Sequence, residues 1–270
     1  MPAKISLSFL IIGDIEGRAG RTAVAKLVPQ LRQELNPSLV IANAENLAHG
    51  TGVTTKTLEE CRQAGIDFFT SGNHIFRKKE AIDLLTEPEP TIIRPANYPE
   101  GTPGQGHRLL TVGTKQILII NLNGRVFFQE DFDCPFRTLD KILEEYKSVS
   151  LNAIIVDAHT EATSEIIALG WYADGRVSAI FGTHTHVPTA DTRILDQGTG
   201  YVSDVGMVGA RDSVLGVDKD VIIKNFLTQQ PFVHDIPEHG VVQFNSVFVE
   251  VDPKTAKTIS IKRIDREVEV

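Results

Sequence analysis

The stretch Val177-Ser178-Ala179-Ile180-Phe181-Gly182-Thr183-His184-Thr185-His186 sets two imidazoles two residues apart at the end of an apolar run. In an extended chain residues i and i+2 face the same way, so both rings would project from one face of a strand end. Two neutral imidazoles so placed can hold one borderline metal, or one each of two adjacent metals. A His-x-His pair is at least as often a plain polar strand end, so the rest of the chain must decide between the two.

With 270 residues, 41% hydrophobic and 23% charged, the composition is globular. No linker, charge block or repeat divides the chain, which reads as a single domain over 1–270. A net charge of −8 disfavours long nucleic acid as a partner, although bound divalent cations could make one cleft locally positive. No apolar segment approaches the roughly 20 residues needed to cross a bilayer, so no membrane partner is expected. Cys61 and Cys134 lack a Cys-x-x-Cys arrangement. Their usage suits a cytoplasmic protein with buried or inert thiols. A homo-oligomer stays open.

From the histidine pair the pattern extends towards the N-terminus. Ile5 to Ile12 is an apolar run that ends in Gly13-Asp14, and the glycines at 17 and 20 precede a helix with Val24, Leu27, Val28, Leu31 and Leu35 on one stripe and a kink expected at Pro29. That strand-to-helix turn either cradles an anion or is a turn alone. Leu39 to Ala42 runs into Asn43-Ala44-Glu45-Asn46, and Ile66 to Thr70 into Ser71-Gly72-Asn73-His74. Thr54 or Thr55 caps the helix between them. Ala153 to Val156 ends in Asp157-Ala158-His159. Thr91 to Arg94 reads as a further strand, and Arg108–Val112 with Gln116–Leu122 and Thr192–Leu195 with Tyr201–Ser203 read as hairpins. Helices are expected from Pro135, through Ile166 to Leu169, and over 218–227, and Gly206 to Gly216 reads as a mobile or ligand-facing loop. Val242 to Val251 would pair with Ile259 to Ile264.

Apolar strands thus end at Asp14, at Asn43 to Asn46, at Asn73-His74, at His159 and at His184/His186. If they run alike, these groups line one edge of an α/β sheet system, where such folds bind ligands. Independent turn chemistry would not place ligand types at successive strand ends and leave loops elsewhere poor in them.

The motifs Gly13-Asp14, Asn43-Ala44-Glu45-Asn46, Gly72-Asn73-His74, Asp157-x-His159 and Gly182-Thr183-His184-Thr185-His186, with Gly200-Tyr201-x-x-Asp204, resemble those of the calcineurin-type metallophosphoesterases, and more closely their YmdB-like branch. The resemblance implies a two-sheet β-sandwich flanked by helices in α/β/β/α layers, around a di-metal centre that hydrolyses phosphodiesters. Carried over by position, Asp14, Glu45, Asn46 and His186 would hold one metal, and Glu45, Asn73, His159 and His184 the other. Glu45 would bridge, and His74 is similar to the family's proton donor. The chain lacks a His two residues after Asp14, and it has Glu45 where the wider superfamily has a bridging Asp. Glu16 stands at that missing His position. On the Asp14 face of an extended segment it could be an extra ligand, but acidic side chains are seldom buried unpaired, so a solvated carboxylate is the favoured reading.

Two cations about 3.5–4 Å apart can hold a bridging hydroxide for in-line attack while an imidazolium protonates the leaving alkoxide. Oxygen and nitrogen ligands without thiolate suit Mn, Fe or Zn, and the resemblance favours iron or manganese, divalent or mixed-valence. A small phosphodiester of the 2′,3′- or 3′,5′-cyclic AMP class is the substrate the resemblance implies. A phosphomonoesterase, including a protein phosphatase, uses the same metals. A regulatory nucleotide- or RNA-binding protein with a largely structural metal site would not require His74. His49 could touch substrate, whereas His107, His234 and His239 read as surface residues. Asp157 either backs His159 or is an ordinary strand-end acid, and Glu161 and Ser164 either turn towards the site or cap the next helix.

Overall fold

Every residue of the first strand, β1 (Leu7–Ile15), is buried, and its alternation feeds two cores. Leu7, Phe9 and Ile11 enter one cluster with Leu39, Ile41, Phe68, Ile119, Ile155 and Phe181, while Leu10 and Ile12 enter another with Ala23, Val24, Val28 and Leu31. A strand buried on both faces must be apolar at both parities, which explains the unbroken run. The computed structural model describes residues 6–231, 233 and 235–270, so the expectations for Ile5 and His234 lie outside the described residues.

Along the chain β1 is followed by α1 (Gly17–Leu35), β2 (Leu39–Asn43), α2 (Thr55–Gln63), β3 (Phe68–Thr70) and α3 (Glu80–Leu85). Then come β4 (His107–Val112), β5 (Lys115–Asn123), α4 (Pro135–Glu145), β6 (Ala153–His159), α5 (Thr163–Ala173) and β7 (Ala179–Thr183). The remainder is β8 (Arg193–Ile194), β9 (Gly200–Val202), β10 (Met207–Ala210), β11 (Ser213–Val214), β12 (Val217–Asp218), α6 (Lys219–Thr228), β13 (Val241–Phe244), β14 (Ser246–Asp252), β15 (Lys257–Arg263) and β16 (Arg266–Glu269). One sheet has the order β15-β14-β1-β10-β13-β16, with β2 and β3 added beside β1. The other has the order β4-β5-β6-β7-β9-β8. Their facing sides share the core built on Phe9 and Ile119, α1, α2 and α3 cover the first sheet, and α4 and α5 cover the second. This is the expected α/β/β/α sandwich.

Strands β1, β2 and β3 are parallel in one sheet, and β5, β6 and β7 in the other. The carboxyl ends of both triplets lie at the same end of the sandwich. A register shift between Ile12 and Asp14 breaks the alternation of β1 there. Past it, Ile15 falls on the helix side with Leu10 and Ile12, and Asp14 turns across to the second sheet. Gly13 permits the kink, since a Cβ there would sit 1.8 Å from the Gly206 carbonyl oxygen.

Several expectations need correction. The Gly206–Gly216 stretch is not a loop throughout: Met207–Ala210 is a buried strand parallel to β1. Val242–Val251 is two strands, because Asn245 leaves the ladder, accepts from Gly13 N–H through its carbonyl and from Met207 N–H through its side chain. Strand β13 therefore pairs with β10 and β16, and β14 with β1 and β15. Thr91–Arg94, bounded by Pro90 and Pro95, reduces to an isolated bridge between Phe69 and Ile92. His107 is half-buried at the start of β4 beside Glu145 and Tyr146, and Cys134 is only partly buried whereas Cys61 is buried. Thr54 forms a capping box with Thr57. No helix among the described residues is long and apolar enough to cross a membrane.

Candidate metal centre

His159 ends β6 with no exposure. Its Nδ1 lies 2.8 Å from Thr183 Oγ1, whose single proton is donated 2.7 Å to Asp157 Oδ1. Thr183 must therefore accept from His159 Nδ1–H, and Nε2 is the nitrogen presented to the site. Thr70 and Asn43 also donate to Asp157. Of the two readings of Asp157, the structure supports the one in which it backs His159. Burial pushes the Asp157 carboxyl up, to about 6, against those contacts and His159.

His159 Nε2 lies 3.1 Å from Glu45 Oε1 and 3.0 Å from His184 Nδ1. The other nitrogen of His184, Nε2, is 3.0 Å from Glu161 Oε2, so it carries the donor proton and Nδ1 faces inward. Glu45, His159 and His184 bring one donor atom each within 4.8 Å of one another. Burial opposes the charge on His159, but Glu45, with Asp14 and Asp157, carries its pKa up to about 9. Glu45 is itself buried, and His159 nevertheless holds its carboxyl well below the ordinary range. Burial and the neighbouring His159 push His184 down to about 3. A proton at His159 Nε2 thus binds the cluster together, at a position a cation can equally take.

The remaining residues surround this core. Buried Asp14 accepts from His184 N–H at 3.1 Å through Oδ2, while its Oδ1 has no hydrogen-bond partner. Burial raises its pKa. Asn73 Oδ1 is likewise buried and unpartnered. Asn46 turns Nδ2 to His186 Nε2 at 3.3 Å and Oδ1 to His74 Nδ1 at 3.0 Å, and a half-turn of its amide would exchange the two atoms. His186 is fixed by Nδ1, 2.9 Å from the Leu215 carbonyl. The structure brings together all the residues expected there: Asp14, Glu45, Asn46, Asn73, His74, His159, His184 and His186. Orphaned buried oxygens, inward lone pairs and a carboxylate shared between histidines fit two cations.

Two expectations fail locally. His184 and His186 do not share an extended face, because β7 ends at Thr183 and both histidines are left-handed, with φ of 102° and 62°. Asp204, to which the motifs alone assign no role, holds this bend: buried, it accepts from Thr185 N–H at 3.0 Å and from Thr185 Oγ1 at 2.8 Å. Glu16 is not solvated. It is 3% exposed, with Oε1 3.3 Å from His186 Nε2, and burial, against His186, pushes its pKa up to about 8. Glu161 reaches the site, whereas Ser164 is exposed on α5. The glycines at 17 and 20 serve packing: Gly17 N–H donates to the Asn46 carbonyl, and a Cβ on Gly20 would meet the Val208 carbonyl at 2.4 Å. Phe128, which carries no sequence signal, lies 4.9 Å from the His184 ring.

A family model described as YmdB-like protein matches residues 10–264. The chain belongs to the YmdB-like family. A 2′,3′-cyclic-nucleotide 2′-phosphodiesterase of Bacillus subtilis is 44% identical over 258 residues, covering 96% of each chain. Of solved structures, a hypothetical protein from Thermus thermophilus superposes with a TM-score of 0.90 at 38% identity, covering 97% of this chain and 99% of that one. A phosphatase of Mycoplasma pneumoniae gives 0.90 at 35% identity, covering 98% and 94%. The family and the sandwich fold expected from the motifs are borne out.

Proposed function

We propose that this chain is a di-metal phosphodiesterase that hydrolyses small cyclic nucleotides of the 2′,3′- or 3′,5′-cyclic AMP class. The observation that carries this reading is the convergence of Glu45, His159 and His184 from two sheets, with unpartnered Asp14 and Asn73 oxygens beside them. Asp14, Glu45, Asn46 and His186 would hold one cation, and Glu45, Asn73, His159 and His184 the other. The mixed oxygen and nitrogen donors suit Fe or Mn, and also Zn. Bound there, the cations would neutralise phosphoryl oxygens and supply an activated water.

The chain's own contribution is to hold substrate and move a proton. His74 is partly exposed, with Nδ1 held by Asn46 and its backbone N–H donating to Glu45 Oε2 at 3.2 Å. That leaves Nε2 to protonate a departing ribose oxygen. His74, His184 and His186 line a cavity of about 330 Å³ whose other wall is Gly50, Leu215, Val217 and Ile236. Such a volume suits a small-molecule substrate. His49, exposed on the same cavity, is placed to meet it. The name of the Bacillus subtilis relative supports the 2′,3′-cyclic class. The unpaired thiols of Cys61 and Cys134 suit a cytoplasmic setting.

The test is turnover of 2′,3′-cyclic AMP, 3′,5′-cyclic AMP and the matching AMP monoesters by Mn- or Fe-reconstituted protein. Faster hydrolysis of a cyclic diester is expected. Preferential monoester hydrolysis would make the chain a phosphomonoesterase, and tight binding without turnover would make it a nucleotide-binding regulator.

A further inference from the structure

Glu16 is the acid that the two proposed ligand sets leave unused. It stands at the N-cap of α1, where a side chain ordinarily accepts from the first helical N–H groups, yet it makes no such bond. The carboxylate turns the other way, and Oε1 is buried with no hydrogen-bond partner. An ionised carboxylate buried here is costly, and burial raises the Glu16 pKa in spite of His186 and Asn46. A fold that keeps one here needs something to neutralise it.

The surroundings are shaped to admit this side chain. A Cβ on Gly209 would lie 3.1 Å from Glu16 Cβ, one on Gly216 2.9 Å from its Cγ, and one on Gly50 3.3 Å from its Oε2. The segments at Gly209 and Gly216 close on Glu16 because they carry no side chain there, whereas a Cβ on Gly50 would first meet Ile236 Cδ1, at 1.9 Å. His186 supplies an independent argument. Its Nδ1 must carry the proton that the Leu215 carbonyl accepts, so Nε2 of the neutral ring presents a lone pair. That lone pair and Glu16 Oε1 stand 3.3 Å apart. Without metal only a proton can join them, which burial of Glu16 favours by raising its pKa, and that is a position a cation can take.

We propose that Glu16 is a carboxylate ligand of the metal held by Asp14, Asn46 and His186. The assignment rests on the di-metal reading. It makes the two positions unlike: Asp14, Glu16 and Glu45 surround one, while His159 and His184 dominate the other. Carboxylate-rich surroundings favour manganese, and imidazole favours zinc.

Mn²⁺ titration of metal-free wild type, Glu16→Gln and Glu16→Asp, with elemental analysis after dialysis and thermal melts of the metal-free proteins, tests this. Wild type is expected to bind two equivalents. Glu16→Gln should keep one and bind the second at least about tenfold more weakly, while melting no lower than wild type without metal, because a neutral amide of the same shape replaces an acid that burial already disfavours as an anion. Glu16→Asp, one methylene short, should weaken the same site. Unchanged affinity in Glu16→Gln would overturn the ligand role and leave the di-metal reading standing. So would wild-type affinity in Glu16→Asp, which would show that only charge matters. A metal-free Glu16→Gln that melts well below wild type would make the carboxylate a structural partner and overturn the proposal too. Fewer than two equivalents in wild type would remove the di-metal reading and this assignment with it.

Discussion

On the His159 side of the centre, both histidines are braced by protein: His159 by Thr183 and, through it, Asp157, and His184 by Glu161. On the His186 side the ring is held at Nδ1 by the Leu215 carbonyl and meets the Asn46 amide at Nε2, and oxygens of Asp14 and Glu16 lie buried without hydrogen-bond partners. The first half is assembled around a proton that joins Glu45, His159 and His184. The second half gathers acceptors with only the Asn46 amide among them. A site can thus be preorganised in two ways: by hydrogen bonds that fix ligand orientation before the ion arrives, or by packing that holds mutually repelling groups in place for it.

The largest effect should come from the residue the two halves share. Glu45→Ala is expected to lose both metals and turnover with them, read by elemental analysis of the reconstituted protein. Retention of one full equivalent would show that the halves are independent. His74→Ala leaves the proposed ligands intact, so both metals should stay. Turnover of a cyclic nucleotide should fall on the order of 10²–10⁴-fold, with a much smaller loss on bis(p-nitrophenyl) phosphate, whose leaving group needs no proton. Equal losses on the two substrates would assign His74 to phosphoryl charge stabilisation.

Thr183→Val attacks the braced half alone. It removes the acceptor for His159 Nδ1–H while keeping the strand and the side-chain shape. Affinity for one metal should drop roughly 10–100-fold and that for the other should hold. A uniform loss at both would mean that the relay to Asp157 supports the whole bend. The smallest effect concerns pH. His159 has its pKa raised to about 9 without metal, so it is protonated below that value and must release a proton to ligate. Metal affinity should therefore rise with pH up to about 9, by about tenfold per unit for each proton displaced. Calorimetry in buffers of different ionisation enthalpy would count the protons. Uptake without proton release would mean that His159 is neutral in the metal-free protein.

Much of this is legible in the residues. Continuous apolar runs announce strands buried on both faces, and polar ligand types at their carboxyl ends announce the site, because both follow from local periodicity. Helices such as α2 and α4 are readable for the same reason, from Thr54 and Pro135 at their starts. What local pattern cannot supply is direction. By plain alternation Asp14 would face α1, and the register shift after Ile12 sends it to the second sheet. The spacing of His184 and His186 predicts a shared extended face, whereas Asp204 and Asp14 hold them in a left-handed bend. Chain order likewise hides the pairing of β10 with β1, between strands almost two hundred residues apart, and the break that Asn245 makes beside it.

The sequence by itself determined the buried strands and the identity of the groups that meet, since burial demands and ligand chemistry are properties of residue types, and its motifs, through their resemblance to a known family, implied the layers. Only the tertiary structure decided which nitrogen each histidine presents, that Asp157 acts through Thr183, and that Glu16 is buried beside His186. Those depend on which backbone segments approach, and close approach at Gly50, Gly209 and Gly216 is a property of the packed chain, not of any stretch within it.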